Sequence, residues 1–131
     1  MSDIPVVLLH GTNAGPWTMA PFKKFFEEAG FACHAPTYRF HDLADGEERR
    51  KALIGTSIQD YVSDTVEFIR TLDRPPIVIG HSLGGLIAQI LSGRGLIEAG
   101  VLINSSIMAG TTPTTDMERA LGKMFMSAGA F

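Results

Sequence analysis

The chain has 131 residues, enough for one domain, and a content of 45% hydrophobic and 19% charged residues suits a sequence that buries a core rather than staying disordered. Eleven basic against fourteen acidic residues leave a net charge of −3, and the one basic cluster, Arg49-Arg50-Lys51, is offset by Glu47 and Glu48 beside it, so a nucleic-acid footprint is missing. No apolar run reaches the roughly 18–20 residues that span a bilayer, and the start lacks the features of a secretory signal, so the expectation is a cytoplasmic protein with no membrane or nucleic-acid partner.

Residues 4–9 form a continuous apolar run ending at His10-Gly11, the pattern of a strand covered on both faces of a parallel sheet. After a loop with Gly15 and Pro16, Phe22, Phe25, Phe26 and Ala29 recur at helical spacing opposite Lys23, Lys24, Glu27 and Glu28, and Gly30 is placed to stop that helix. Residues 31–35 read as a second strand closed by Pro36. Within it, Cys33 has neither a disulfide partner nor a CxxC neighbour and reads as a small core residue, while His34 reads as a core histidine bonded to a neighbour. The next twenty residues are polar and aperiodic, and are expected to be a long loop.

From Ser57 the apolar positions Ile58, Tyr61, Val62, Thr65, Ile69 and Leu72 share one helical face, with Ser57 and Asp60 spaced as a capping box. Residues 77–80 are a third buried strand, 83–91 an apolar helix and 101–103 a fourth strand. A Thr-rich turn then leads to a helix carrying Met117, Leu121, Met124, Phe125 and Met126. Strands joined through helices in this way make right-handed crossovers, so the expected fold is a three-layer α/β domain over residues 1–131, with a short parallel sheet of about four strands and helices on both faces. The fourth strand would be an open edge, suited to pairing with a partner or a second copy.

The segment Gly80-His81-Ser82-Leu83-Gly84 matches GxSxG between a Val/Ile strand and an apolar helix. A serine in so sharp a turn needs small neighbours, which Gly80 and Gly84 supply. The turn would present the Ser82 hydroxyl above the sheet and aim the Leu83 N–H at a developing oxyanion, whereas the plain alternative is a Gly-rich structural turn. The loop His10-Gly11-Thr12-Asn13-Ala14-Gly15 leaves the carboxyl end of the first strand, the edge where parallel sheets bind ligands, and can offer a second donor.

A His-Gly loop, then Ala35-Pro36 closing the next strand, then Gly-His-Ser-Leu-Gly-Gly after a third, together resemble the α/β-hydrolase superfamily, in particular its esterase and lipase members, over nearly all of the chain up to Ser106. The resemblance implies the N-terminal half of that fold, with Ser82 as nucleophile, the Leu83 and Thr12 amides as oxyanion hole, and His10, Gly11, His81 and Trp17 in support. For Trp17, packing near the pocket and a plain place in the core both stay open. A segment beginning near residue 107 would be the entry to a cap.

The family's triad runs Ser, acid, His in chain order, yet all four histidines (His10, His34, His41 and His81) precede or adjoin Ser82. His41, in a loop on the same rim, is the candidate substitute base, and Asp116, beyond the fourth strand, the candidate acid. No metal or cofactor is implied. The expected activity is hydrolysis of a small carboxylic ester through an acyl-enzyme on Ser82. Base and acid would come from a complementary C-terminal fragment or a partner. The alternative is a catalytically silent ligand-binding or assembly module.

Overall fold

A computed structural model describes residues 2–127 of the backbone and the side chains of residues 3–123, so the Met124, Phe125 and Met126 side chains lie outside the described residues. Four strands, β1 (Ser2–Leu9), β2 (Phe31–His34), β3 (Ile77–His81) and β4 (Ala99–Ile103), form a parallel sheet in the order β2-β1-β3-β4. The helices are α1 (Ala20–Glu28), α2 (Glu47–Ile54), α3 (Ile58–Ile69), α4 (Leu83–Gly93) and α5 (Asp116–Ser127).

Alternation along β1 divides the core. Val6 and Leu8 join Cys33, Met19 and Ile79 on one face, with Phe26 of α1 against them, while Val7 and Leu9 join Val78, Tyr61, Val62, Ile87 and Leu91 under α3 and α4 on the other. All four β1 side chains are fully or almost fully buried, which is why that run lacks polar alternation. Gly30 has φ 88° and ends the α1 segment as its spacing predicts.

Helix α3 opens on the expected capping box: the Asp60 N–H donates to the Ser57 hydroxyl, and the Ser57 N–H donates to the Asp60 carboxylate at 2.8 Å. Ser57→Ala removes one half of it and is expected to lower the melting temperature by about 3–5 °C in a thermal melt followed by circular dichroism.

Two expectations are corrected here. The stretch after β2 is not all loop, because Glu47–Ile54 is helical. Its residues are good helix formers, with Glu47 and Glu48 at the N-terminal end and Lys51 paired to Glu47 one turn on, but it has no apolar stripe, so periodicity could not reveal it. His34 is half-buried and meets Phe68 edge-on at 5.7 Å rather than sitting in the core against a polar neighbour. Strand β4 pairs only with β3 among the described residues. Successive residues point to opposite faces, so the exposure of both Val101 (46%) and Leu102 (47%) leaves both faces of this edge open. No helix among the described residues is long and apolar enough to cross a membrane.

Candidate active site

Strand β3 delivers Ser82 to the carboxyl edge of the sheet, where α4 begins at Leu83. Ser82 has φ 53° and ψ −113°, a conformation that costs an L-residue about 1–3 kcal/mol and persists only where the surroundings impose it. The imposition is steric and polar. A Cβ on Gly80 would lie 2.1 Å from the Gly84 carbonyl oxygen, and a Cβ on Gly84 would lie 2.2 Å from that of Leu9, so the first turn of α4 rests on bare backbone. The Ser82 N–H donates to Ile103 O at 3.1 Å, and the Ser82 carbonyl accepts from the amides of Gly85, Leu86 and Ser106.

Gly11 flanks this turn. A Cβ there would sit 3.4 Å from Ser82 Cβ and 3.3 Å from His81 Nδ1, which brings the loop after β1, with the half-buried Thr12, against the serine. The Leu83 N–H, in the first turn of α4, has no preceding helical carbonyl to bond and lies at the positive end of the helix dipole. The arrangement therefore places the half-buried Ser82 beside two stretches of backbone, the first turn of α4 and the loop at Gly11. His81 is exposed at the rim, next to Gly11.

His10 lies beneath the loop. It is fully buried, its Nδ1–H donates to Gly11 O at 2.8 Å, and its ring meets Tyr38 at 4.3 Å and His41 at 5.1 Å. Burial outweighs the Gly11 bond and, with the nearby His41, pulls its pKa down to about 4, so the imidazole is neutral at pH 7. It buttresses the loop backbone.

His41 is not on the rim. It is 2% exposed, its Nδ1–H donates to Ala14 O at 3.0 Å, and its Nε2 faces the Tyr61 hydroxyl at 3.4 Å. Both ring nitrogens are thus engaged, Nδ1 by Ala14 O and Nε2 by the Tyr61 hydroxyl, which argues against His41 as the base for Ser82. A turn explains the burial: His41 N–H bonds Tyr38 O across Phe40, whose φ of 64° folds the chain back under the first loop. Arg39 pins the same turn to α3 with a two-pronged grip on Asp64 and a 3.3 Å contact to Asp60. Asp116 is fully exposed at the start of α5 and pairs with Arg119 at 2.6 Å, so it orients no histidine among the described residues. Trp17 is 63% exposed in a one-turn 3-10 helix, Pro16–Met19, with its ring over the Cα of Gly15, which excludes the core placement.

The sequence profile of the alpha/beta hydrolase family matches residues 6–130. The chain belongs to that family. Among its relatives, the GPI inositol-deacylase of Candida albicans is 32% identical over 130 residues, covering 88% of this chain and 32% of that protein. The carboxylesterase of Bacillus subtilis is 30% identical over 90 residues, covering 66% of this chain and 35% of that protein. An extracellular alpha/beta-hydrolase from a Paenibacillus species superposes with a TM-score of 0.70 at 20% identity, over 97% of this chain and 53% of that structure. This alpha/beta hydrolase chain therefore spans about a third of the curated relatives it matches.

Sequence reasoning missed the residues that support the site of this family member. Tyr38 and Tyr61 wall in His10 and His41, and Gln89, Ser105 and Ser106 hold the elbow from the β4 side. The only available signal for the last two was their place directly after a strand at the carboxyl edge of the sheet.

Proposed function

We propose that this chain carries the nucleophile of a serine hydrolase acting on small carboxylic esters, with Ser82 as the attacking group. The observation that carries the reading is the left-handed Ser82 held at the start of α4 with the Gly11 loop against it. The Ser82 oxygen attacks the acyl carbon, and the Leu83 and Thr12 amides donate to the oxygen that becomes negative. Collapse expels the alcohol and leaves an ester on Ser82. Water then attacks that ester and releases the acid. The B. subtilis carboxylesterase, among the relatives, supports ester chemistry as the reaction class.

This reading assigns the general base to a complementary fragment or a partner subunit, because no histidine of the sequence follows Ser82, His10 is fully buried with its Nδ1 on Gly11 O, and His41 is buried with its Nδ1 on Ala14 O. The open β4 edge is the place for such a complement to pair, whether a C-terminal fragment or a second copy. The same engagement of the histidines favours a second reading, in which the chain binds a small ligand without turning it over.

Intact-mass spectrometry after exposure to a serine-reactive fluorophosphonate separates the two. The expected result is one adduct, mapped to Ser82 and absent in Ser82→Ala, forming about a hundredfold or more slower than when a complement provides the base. Absence of an adduct both alone and with a complement would leave the binding module.

A further inference from the structure

The strained serine is held from its far side by a polar clamp on the β4 flank. Gly85 and Gln89 lie one turn apart on the same face of α4. At Gly85 a Cβ would lie 2.7 Å from both Ser105 Cβ and Oγ, so the segment after β4 is pressed directly onto the helix. At Gln89 the side-chain Nε2–H donates to Ser105 Oγ at 2.7 Å and reaches Ser106 O at 3.4 Å, and Ser105 Oγ–H donates to that same carbonyl at 2.9 Å. The Ser106 N–H then donates to the Ser82 carbonyl at 3.0 Å. All three clamp residues are half-buried, and Asn104, which leads into them, has φ 43°.

The geometry points to Gln89 as a positioning residue that, through Ser105 and Ser106, holds the Ser82 backbone in its left-handed conformation and so sets the direction of the serine hydroxyl. The physical reason is that the carbonyl of a strained residue is the atom that moves when the strain relaxes. The Gly85 and Leu86 bonds come from the helix that Ser82 itself begins, and the Ile103 bond holds only the N–H. The Ser106 bond fixes the carbonyl from outside that helix. Gln89 fixes Ser106 in turn, by occupying the carbonyl and hydroxyl of a segment that has no regular secondary structure of its own.

The catalytic half of this inference rests on Ser82 being the nucleophile; the structural half does not. The test uses the whole 131-residue chain as wild type, Gln89→Met, which keeps length and shape without the donor, and Gln89→Glu, which places acceptors against the Ser105 hydroxyl and the Ser106 carbonyl. Amide hydrogen exchange is read by NMR at Ser82, Ser106 and, as reference, Ile79 of β3. The expected result is exchange about tenfold faster at Ser106 and Ser82 in both variants, with Ile79 unchanged. Phosphonylation should show a maximal rate lowered about tenfold at an unchanged half-saturating concentration. Equal protection at Ser106 in all three proteins would overturn the inference. So would an acceleration shared by Ile79 and matched by a fall in melting temperature, which would make Gln89 an ordinary stabilising contact. A wild-type chain that takes no phosphonate would remove the nucleophile reading alone, and exchange at Ser106 would still decide the clamp.

Discussion

Gly84→Ala is expected to cost about 4 kcal/mol or more, a large share of the stability of a protein of ordinary marginal stability. The added methyl would meet the Leu9 carbonyl at 2.2 Å. That oxygen belongs to the central strand β1, whose Leu9 is in register with Gly80 of β3, so it cannot give way without breaking the sheet. Relief would require α4 to retreat by about 1 Å, and a close-packed interior does not absorb such a shift. Leu83, Ile87, Ala88 and Leu91 would lose their contacts together, since each faces the core from that helix. Gly93→Ala is the matched control: nothing lies within 4 Å of a Cβ there, and the change is expected to add roughly 0.5 kcal/mol through helix propensity. Urea denaturation followed by circular dichroism, run on the two variants side by side, measures both effects.

The second large effect is on acid stability. His10 titrates near 6.5 in an unfolded chain but at about 4 in the folded one, because its burial disfavours the cation. Between those values the unfolded chain takes up a proton that the folded chain refuses, so stability falls as pH falls from about 6.5 and levels off near 4. The gap corresponds to a loss of about 3 kcal/mol across the window. His41 adds to it in the same direction: burial and the Arg49 charge lower its pKa, against the opposing Ala14 bond and Asp42. The carboxylates of Asp60 and Glu118, held low mainly by hydrogen bonds, lose their contribution only at lower pH. Midpoints of urea denaturation measured from pH 7.5 to 4.5 should slope downward towards acid, and His10→Asn should flatten the slope. A flat profile in the wild-type chain would mean that His10 is hydrated in the folded state.

Where side-chain periodicity and backbone sterics act locally, the sequence was readable. Both faces of β1 are buried, and a solid apolar run said so; α3 and α4 each carry a core-facing stripe, and Gly80 and Gly84 marked the elbow because only glycine fits that approach, whereas of the expected α1 face only Phe26 packs on the core, Phe22 and Phe25 being 42% and 65% exposed and Ala29 exposed as well. What escaped depends on contacts between distant segments. Position 41 reads as a rim histidine until a turn at Phe40 and the Arg39 grip on α3 fold it inward. Gln89, Ser105 and Ser106 resemble any helix-surface glutamine and polar turn until β4 lies beside β3 and brings them together. Helix α2 escaped for the opposite reason, since it turns no apolar face to the core and left only composition to read.

The strain at Ser82 also bears on the order in which the chain folds. The bonds that oppose its relaxation from outside its own helix come from Ile103 and Ser106, more than twenty positions downstream, so the polar half of the restraint waits on the docking of β4. Until then only the close backbone approaches at Gly80 and Gly84 oppose that relaxation from outside the helix. The full restraint on Ser82 is therefore a property of the assembled sheet rather than of the local turn.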